Sequence, residues 1–213
     1  MIVNLLIGLP DQRPGGLLLS VFSAVVAGGL ALAVGIVYAT ACVAAPRVTL
    51  SVQGGLAILR GVPLLILVFA LAQTTTLPLV ASGFVALFLY SVSHVGEALR
   101  SYLAAYPPQL REQARLLGIS PTREWLMFRI PWTLRRSLDA LGTHWVSLLK
   151  DTGALTVLGI GELTTVARIL SERTDTSGWL TVLLVAAAIY LVTIAVLTQT
   201  LSYLTIRFAK QAR

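Results

Sequence analysis

Residues 14–46 read PGGLLLSVFSAVVAGGLALAVGIVYATACVAAP, and no side chain among them is charged. An α-helix rises about 1.5 Å per residue and a bilayer's hydrocarbon core is about 30 Å thick, so roughly 20 apolar residues cross it. The stretch exceeds that length, which places a transmembrane helix near residues 17–42. Gly28, Gly29 and Gly35, with Ala24 and Ala31, give this helix small faces for close packing against neighbours. Pro46 marks the turn that follows.

The rest of the chain repeats this alternation of uncharged runs and basic blocks. Of its 213 residues, 56% are hydrophobic and 12% charged, where a soluble domain carries roughly 25% charged residues. With a mean hydropathy of +0.84, the surface must face lipid over part of its area. The net charge of +7 and pI of about 10.2 would suit a nucleic-acid partner. The basic residues, however, sit in blocks beside apolar runs, with only Lys150 and Lys210 as lysines. That is the positive-inside pattern of a membrane protein, and it excludes the nucleic-acid reading.

Enzyme signatures are absent. Neither lysine follows a glycine, so there is no P-loop, and no metalloprotease or serine-hydrolase motif occurs. The reading is of a non-enzyme with no catalytic residue and no metal site. His94 and His144 lack metal-ligand spacing and are read as packed or interface histidines. Cys42, the single cysteine, is read as a small buried hydrophobe. The first apolar stretch is too long for a signal peptide, with Arg13 as the basic residue before it.

The second span is expected to start near residue 52 and to end before the loop QTTTLP at 73–78, because residues 61–72 alone are too short to cross. Arg60 then falls inside or at the edge of the membrane. A lipid-facing charge at a helix centre costs about 2.5–3.5 kcal/mol, so Arg60 must snorkel to the interface or face the protein interior. A third span is expected near 79–99, a fourth near 138–160 and a fifth near 179–206. The fold class is thus all-α integral membrane, one domain over 1–213, with about five crossings. Twelve of the sixteen basic residues then lie on one side, against Arg13, Arg168 and Arg173 on the other. This bias puts the N-terminus out and the C-terminus in.

Between the third and fourth spans lies a polar segment, 97–136, with seven arginines and the glutamates Glu97, Glu112 and Glu124. Pro107-Pro108 opens a new element. Residues 109–117 suit a short helix with Glu112 and Arg115 on one face, and Gly118 suits its left-handed C′ position. Ser120 and Pro121 suit the N-cap and N1 of a second short helix, whose positive end Glu124 favours. Pro131 is expected to stop or kink it. The product is a rigid helix–turn–helix bracket on the cytoplasmic surface, suited to a soluble partner.

These residues resemble the permease subunits of ABC importers, whose cytoplasmic loop reads E-A-A, three residues, G, nine residues, I-x-L-P. Here Glu112-Gln113-Ala114 is followed at that spacing by Gly118 and by Phe128-Arg129-Ile130-Pro131; Gln113, Phe128 and Ile130 depart from the pattern. Arg60-Gly61-Val62-Pro63-Leu64-Leu65, Glu97 with Arg100, Ser147 to Thr152 and Gly159 to Thr164 are similar to the polar amino-acid branch. The resemblance implies a multi-pass protein of the bacterial cytoplasmic membrane that pairs with a second permease, the same chain or a related one. Glu112, Gln113, Ala114, Gly118, Ile130 and Pro131 would form the loop that docks on ABC ATPase subunits. Those subunits would bind ATP and Mg, and this chain no cofactor. An extracytoplasmic substrate-binding protein would deliver the polar amino acid.

The intramembrane charges leave alternatives open. Lys150 and Asp151 are either a structural ion pair with another helix or the second permease, or substrate contacts. Glu162 either binds a substrate ammonium or pairs with Arg168. Arg60, with Glu97 and Arg100, is either a helix-end anchor or part of a gate. Three rival functions stand beside this one: a secondary transporter or channel, for which no inverted repeat is visible; a membrane scaffold, which leaves these charges unexplained; and an ABC permease for an osmolyte such as betaine.

Overall fold

The computed structural model describes residues 1–11, 14–47, 49–174 and 178–210; Arg13, Asp175 and Arg213, which enter the charge count above, lie outside them. A short helix α1 (Ile2–Ile7) precedes the long α2 (Gly16–Ala44). Next come α3 (Leu50–Gly61), α4 (Leu64–Thr74) and α5 (Leu79–Ala104). A polar excursion holds α6 (Pro108–Leu116) and α7 (Pro121–Glu124); α8 (Ile130–Asp151), α9 (Leu163–Glu172) and α10 (Trp179–Lys210) complete the chain.

Among the described residues, three helices are long and apolar enough to cross a membrane: α2, α5 and the Trp179–Arg207 stretch of α10. The single second span expected near 52–72 is instead two helices, α3 and α4, bent by 108° against each other. The cause is local. Val62 is extended at φ −84° and ψ 123°, as a residue before proline prefers, and Pro63 brings no N–H to continue the ladder.

The fourth span also differs from expectation. α8 starts at Ile130 and ends at Asp151, after which a 3₁₀ helix over Thr152–Leu158 leads to Gly159 in the left-handed conformation. Pro131 does not stop the helix before it. A π turn over Trp125–Arg129 joins α7 to α8, with the Ile130 N–H donating to the Trp125 carbonyl. The wider turn makes room where the proline ring would meet the carbonyl of Met127.

α2 and α5 form the centre. Ala31 and Ala39 of α2 pack on Val92, Val95, Leu99 and Leu103 of α5. A Cβ on Gly28 would stand 2.7 Å from Trp145 of α8, and one on Gly35 would stand 3.2 Å from Val95. Gly29 faces open space, so of the three glycines expected to pack, two do. Leu64 and Val68 of α4, Ala86 and Leu87 of α5, and Leu148 and Leu149 of α8 join one cluster. Leu5 and Leu9 bind the N-terminal segment to α9 and α10.

Candidate functional site

The polar excursion folds as the sequence predicts in its first half. α6 ends in a complete glycine cap: the Gly118 N–H donates to Arg115 and the Ile119 N–H to Ala114, at 3.0 Å each. This six-to-one and five-to-two pattern needs a left-handed residue at C′, and Gly118 has φ +69°. Ser120 and Pro121 occupy the N-cap and N1 of α7, with the Ser120 side chain making no capping bond.

The cap fixes what α6 presents. Ala114 turns inward at 7% exposure, while Leu116 and Leu117 stand out at 87% and 77%. Glu112 and Gln113 are exposed as well. Ile130 and Pro131, half-buried, open α8. Gln113, Ala114 and Pro131 line one groove of about 910 Å³ that also holds Phe128, Trp132 and Arg135. Both ends of the motif therefore meet across a single concavity. Leu126, Met127 and Phe128 on the π turn extend the exposed apolar surface.

Beneath α7 two charged side chains are buried. Glu124, read in the sequence as favouring the positive end of this helix, is buried with Arg129 beside it. The Arg129 guanidinium lies 4.5 Å from the Trp125 ring and 5.0 Å from the Tyr106 ring. Burial, together with the Glu124 carboxylate, pushes the Tyr106 hydroxyl above its ordinary value, which Arg129 partly opposes.

A second cluster joins three residues drawn from two motifs. Arg60, in the last turn of α3, donates to the Ser93 carbonyl at 3.1 Å and lies 3.6 Å from Glu97. Glu97 also accepts from Arg100 one turn on, through both carboxylate oxygens. Arg60 thus faces α5 and fastens the end of α3 to it next to the bend at Pro63.

Glu162 does not pair with Arg168, the ion-pair alternative read for it in the sequence. It is fully buried at the N-cap of α9. Its Oε1 accepts from the Thr165 N–H at 2.7 Å, and from the hydroxyls of Thr156 and Thr165. Its Oε2 accepts from the Thr164 N–H at 2.9 Å, and from the hydroxyls of Tyr190 and Ser20. Arg168 pairs with Glu172 rather than with Glu162. Gly16 adjoins this knot, its N–H donating to the Gly161 carbonyl.

Lys150 and Asp151 diverge. Lys150 is exposed on the face of α8 toward α10. Asp151 is half-buried, within electrostatic reach of Lys150, His94 and Tyr90. Neither has an ion-pair partner among the described residues. His94 and His144, read separately in the sequence, stack at 5.5 Å between ring centroids and 12°. Fifty residues separate them, and only the pairing of α5 with α8 brings them together. No group of metal ligands occurs among the described residues.

Comparison with known proteins gives three findings. Residues 31–208 match the family described as binding-protein-dependent transport system inner membrane component. The arginine ABC transporter permease protein ArtQ of Escherichia coli (strain K12) is 33% identical over 52% of this chain and 45% of its own length. The probable glutamine ABC transporter permease protein GlnP of Bacillus subtilis (strain 168) is 30% identical over 62% of this chain and 63% of its own. The chain thus spans about half of the first relative and under two thirds of the second. A chain in the crystal structure of an amino acid ABC transporter with histidines shares the fold, with a TM-score of 0.77 at 24% identity, over 89% of this chain and 91% of that one.

Proposed function

The chain belongs to the family of binding-protein-dependent transport system inner membrane components, and from that premise we propose that it is the membrane-spanning permease subunit of an ATP-driven importer of a polar amino acid. The observation that carries this reading is the bracket at Gly118. Its left-handed cap holds Leu116 and Leu117 outward beyond the apolar spans, and exposed apolar patches of this kind mark partner sites. An ATPase subunit receives α6 and its turn. ATP-driven closure of two such subunits then moves α6, and α8 follows through the π turn. The ATPases carry the nucleotide and Mg; this chain hydrolyses nothing itself.

In this assignment the bent α3–α4 pair and α8 each cross once, which with α2, α5 and α10 makes five crossings, N-terminus out and C-terminus in. The basic bias toward the side of α6 supports that orientation. The protein sits in the bacterial cytoplasmic membrane beside a second permease, and an extracytoplasmic binding protein supplies substrate. Arg60, Glu97 and Arg100 set the angle of the α3–α4 elbow, whereas Glu162 holds α9 and makes no substrate contact. The relatives named for arginine and glutamine support a polar amino acid as cargo.

The test is purification of the tagged chain from its native membrane in mild detergent, with mass spectrometry of its companions. Recovery of a P-loop ATPase is expected, and the presence or absence of a second permease sequence distinguishes a heterodimer from a homodimer. Recovery of this chain alone, where a known importer stays intact, would overturn the reading.

A further inference from the structure

Five side chains at the base of the bracket form one continuous series of ring and guanidinium contacts. The Arg129 guanidinium lies over the rings of Trp125, at 4.5 Å, and Tyr106, at 5.0 Å. Tyr106 meets Trp132 edge to face, with 5.4 Å between centroids at 87°. The Arg136 guanidinium closes the series 5.7 Å from the Trp132 ring. At the other end Trp125 packs against the α2–α5 cluster that holds Ala39, Leu99 and Leu103. The series therefore runs from the centre of the bundle to the groove under α6, whose wall includes Tyr106, Trp132 and Arg136.

Its members come from both ends of one loop. Tyr106 directly precedes Pro107-Pro108, where α6 opens, and Arg129 ends the π turn. Their contact closes residues 107–128 at the base. Tyr106 is 6% and Arg129 7% exposed, and the attraction between a cation and a ring face strengthens when both are desolvated. The carboxylate of Glu124 does not replace it, since Arg129 Nε lies 4.0 Å away and makes no hydrogen bond. A guanidinium suits this place because it is flat, always charged and able to stack on aromatic faces. Resting on the reading of the chain as an ATP-driven permease, we propose that this stack is the clasp that makes the bracket move as one body with α2, α5 and α8, with Arg129 and Tyr106 as positioning residues for coupling. Without it, α6 is joined to the bundle only by the backbone at Ala105–Pro107 and by the π turn. A push on α6 then bends those two joints and does not reach α2 and α5 through Trp125.

The test uses the complete transporter, with its ATPase and binding protein, in proteoliposomes. It reads ATP hydrolysed per molecule of L-arginine or L-glutamine taken up, whichever the unsubstituted complex transports. Tyr106→Leu should raise that ratio severalfold, whereas Tyr106→Phe, which keeps the ring and loses the hydroxyl, should leave it where it was. Trp132→Leu, at a half-buried position, should also raise it. Glu124→Leu with Arg129→Leu removes the guanidinium without stranding a buried charge; this complex should assemble and still show the raised ratio. A stack that served stability alone would lower the yield of complex and leave the ratio of the surviving complex unchanged. An unchanged ratio in Trp132→Leu or in the double variant would overturn the clasp, and these two decide the matter if Tyr106→Leu does not assemble. An equal rise in Tyr106→Phe and Tyr106→Leu would also overturn it, by assigning the effect to the hydroxyl. Failure of the permease reading appears separately, as absence of ATP-driven uptake of either amino acid by the unsubstituted complex.

Discussion

Arg129 and Glu124 face each other at 4.0 Å inside the bracket, both more than nine-tenths buried, yet Glu124 Oε1 and Arg129 Nε make no hydrogen bond. The arginine is held chiefly by the rings of Trp125 and Tyr106. A buried pair with incomplete hydrogen bonding adds little net stability, but removing one partner strands the other in a dry site.

The expected pattern is therefore non-additive. Arg129→Leu alone should destabilise the purified complex by about 3 kcal/mol. Glu124→Leu with Arg129→Leu should recover a large part of that. Thermal unfolding in detergent reads both. A double variant as unstable as the sum of the singles would show that the two side chains do not interact.

Gly118 gives a prediction of a different kind, because its cost is purely conformational. Apart from its own neighbours in the chain, no atom lies within 4 Å of where a Cβ would stand, so clashes with packed residues are not at issue. A left-handed L-residue costs roughly 1–2 kcal/mol, and a β-branched one more. Gly118→Val should tilt α6, leaving ATP hydrolysis while uptake falls severalfold. Gly118→Asn, whose side chain tolerates this region, should retain most uptake. Parallel assays of hydrolysis and uptake at equal expression decide it; full uptake in the valine variant would end the coupling role.

How far these features were legible in the sequence follows from the range of the forces involved. The gap in charge from 14 to 46 and the Gly118–Ser120–Pro121 signals are local, and each led to the observed element. The elbow at Pro63 was written in the sequence too, but the length needed for a crossing argued for one straight helix and outweighed it. α9 is masked by the charges scattered over residues 161–178; its signal is Leu163, Val166, Ala167 and Leu170 at helical spacing after a capping glutamate. The stack of His94 on His144, the turn of Arg60 toward Glu97, and the cleft between α8 and α10 depend on which helices pair. No local pattern encodes that.

Glu162 provides the last prediction. Its carboxylate accepts from two backbone N–H groups and four hydroxyls supplied by α2, the 3₁₀ segment, α9 and α10. Glutamine has nearly the same shape but turns two of its hydrogens toward donors, leaving buried groups unsatisfied at about 1–3 kcal/mol each. Glu162→Gln should lower the yield of folded complex and its unfolding temperature, while the protein that survives keeps its half-saturating substrate concentration. Aspartate should not rescue it, because its shorter side chain cannot reach the same donors. A normally stable Glu162→Gln complex with altered substrate preference would instead place Glu162 on the substrate path.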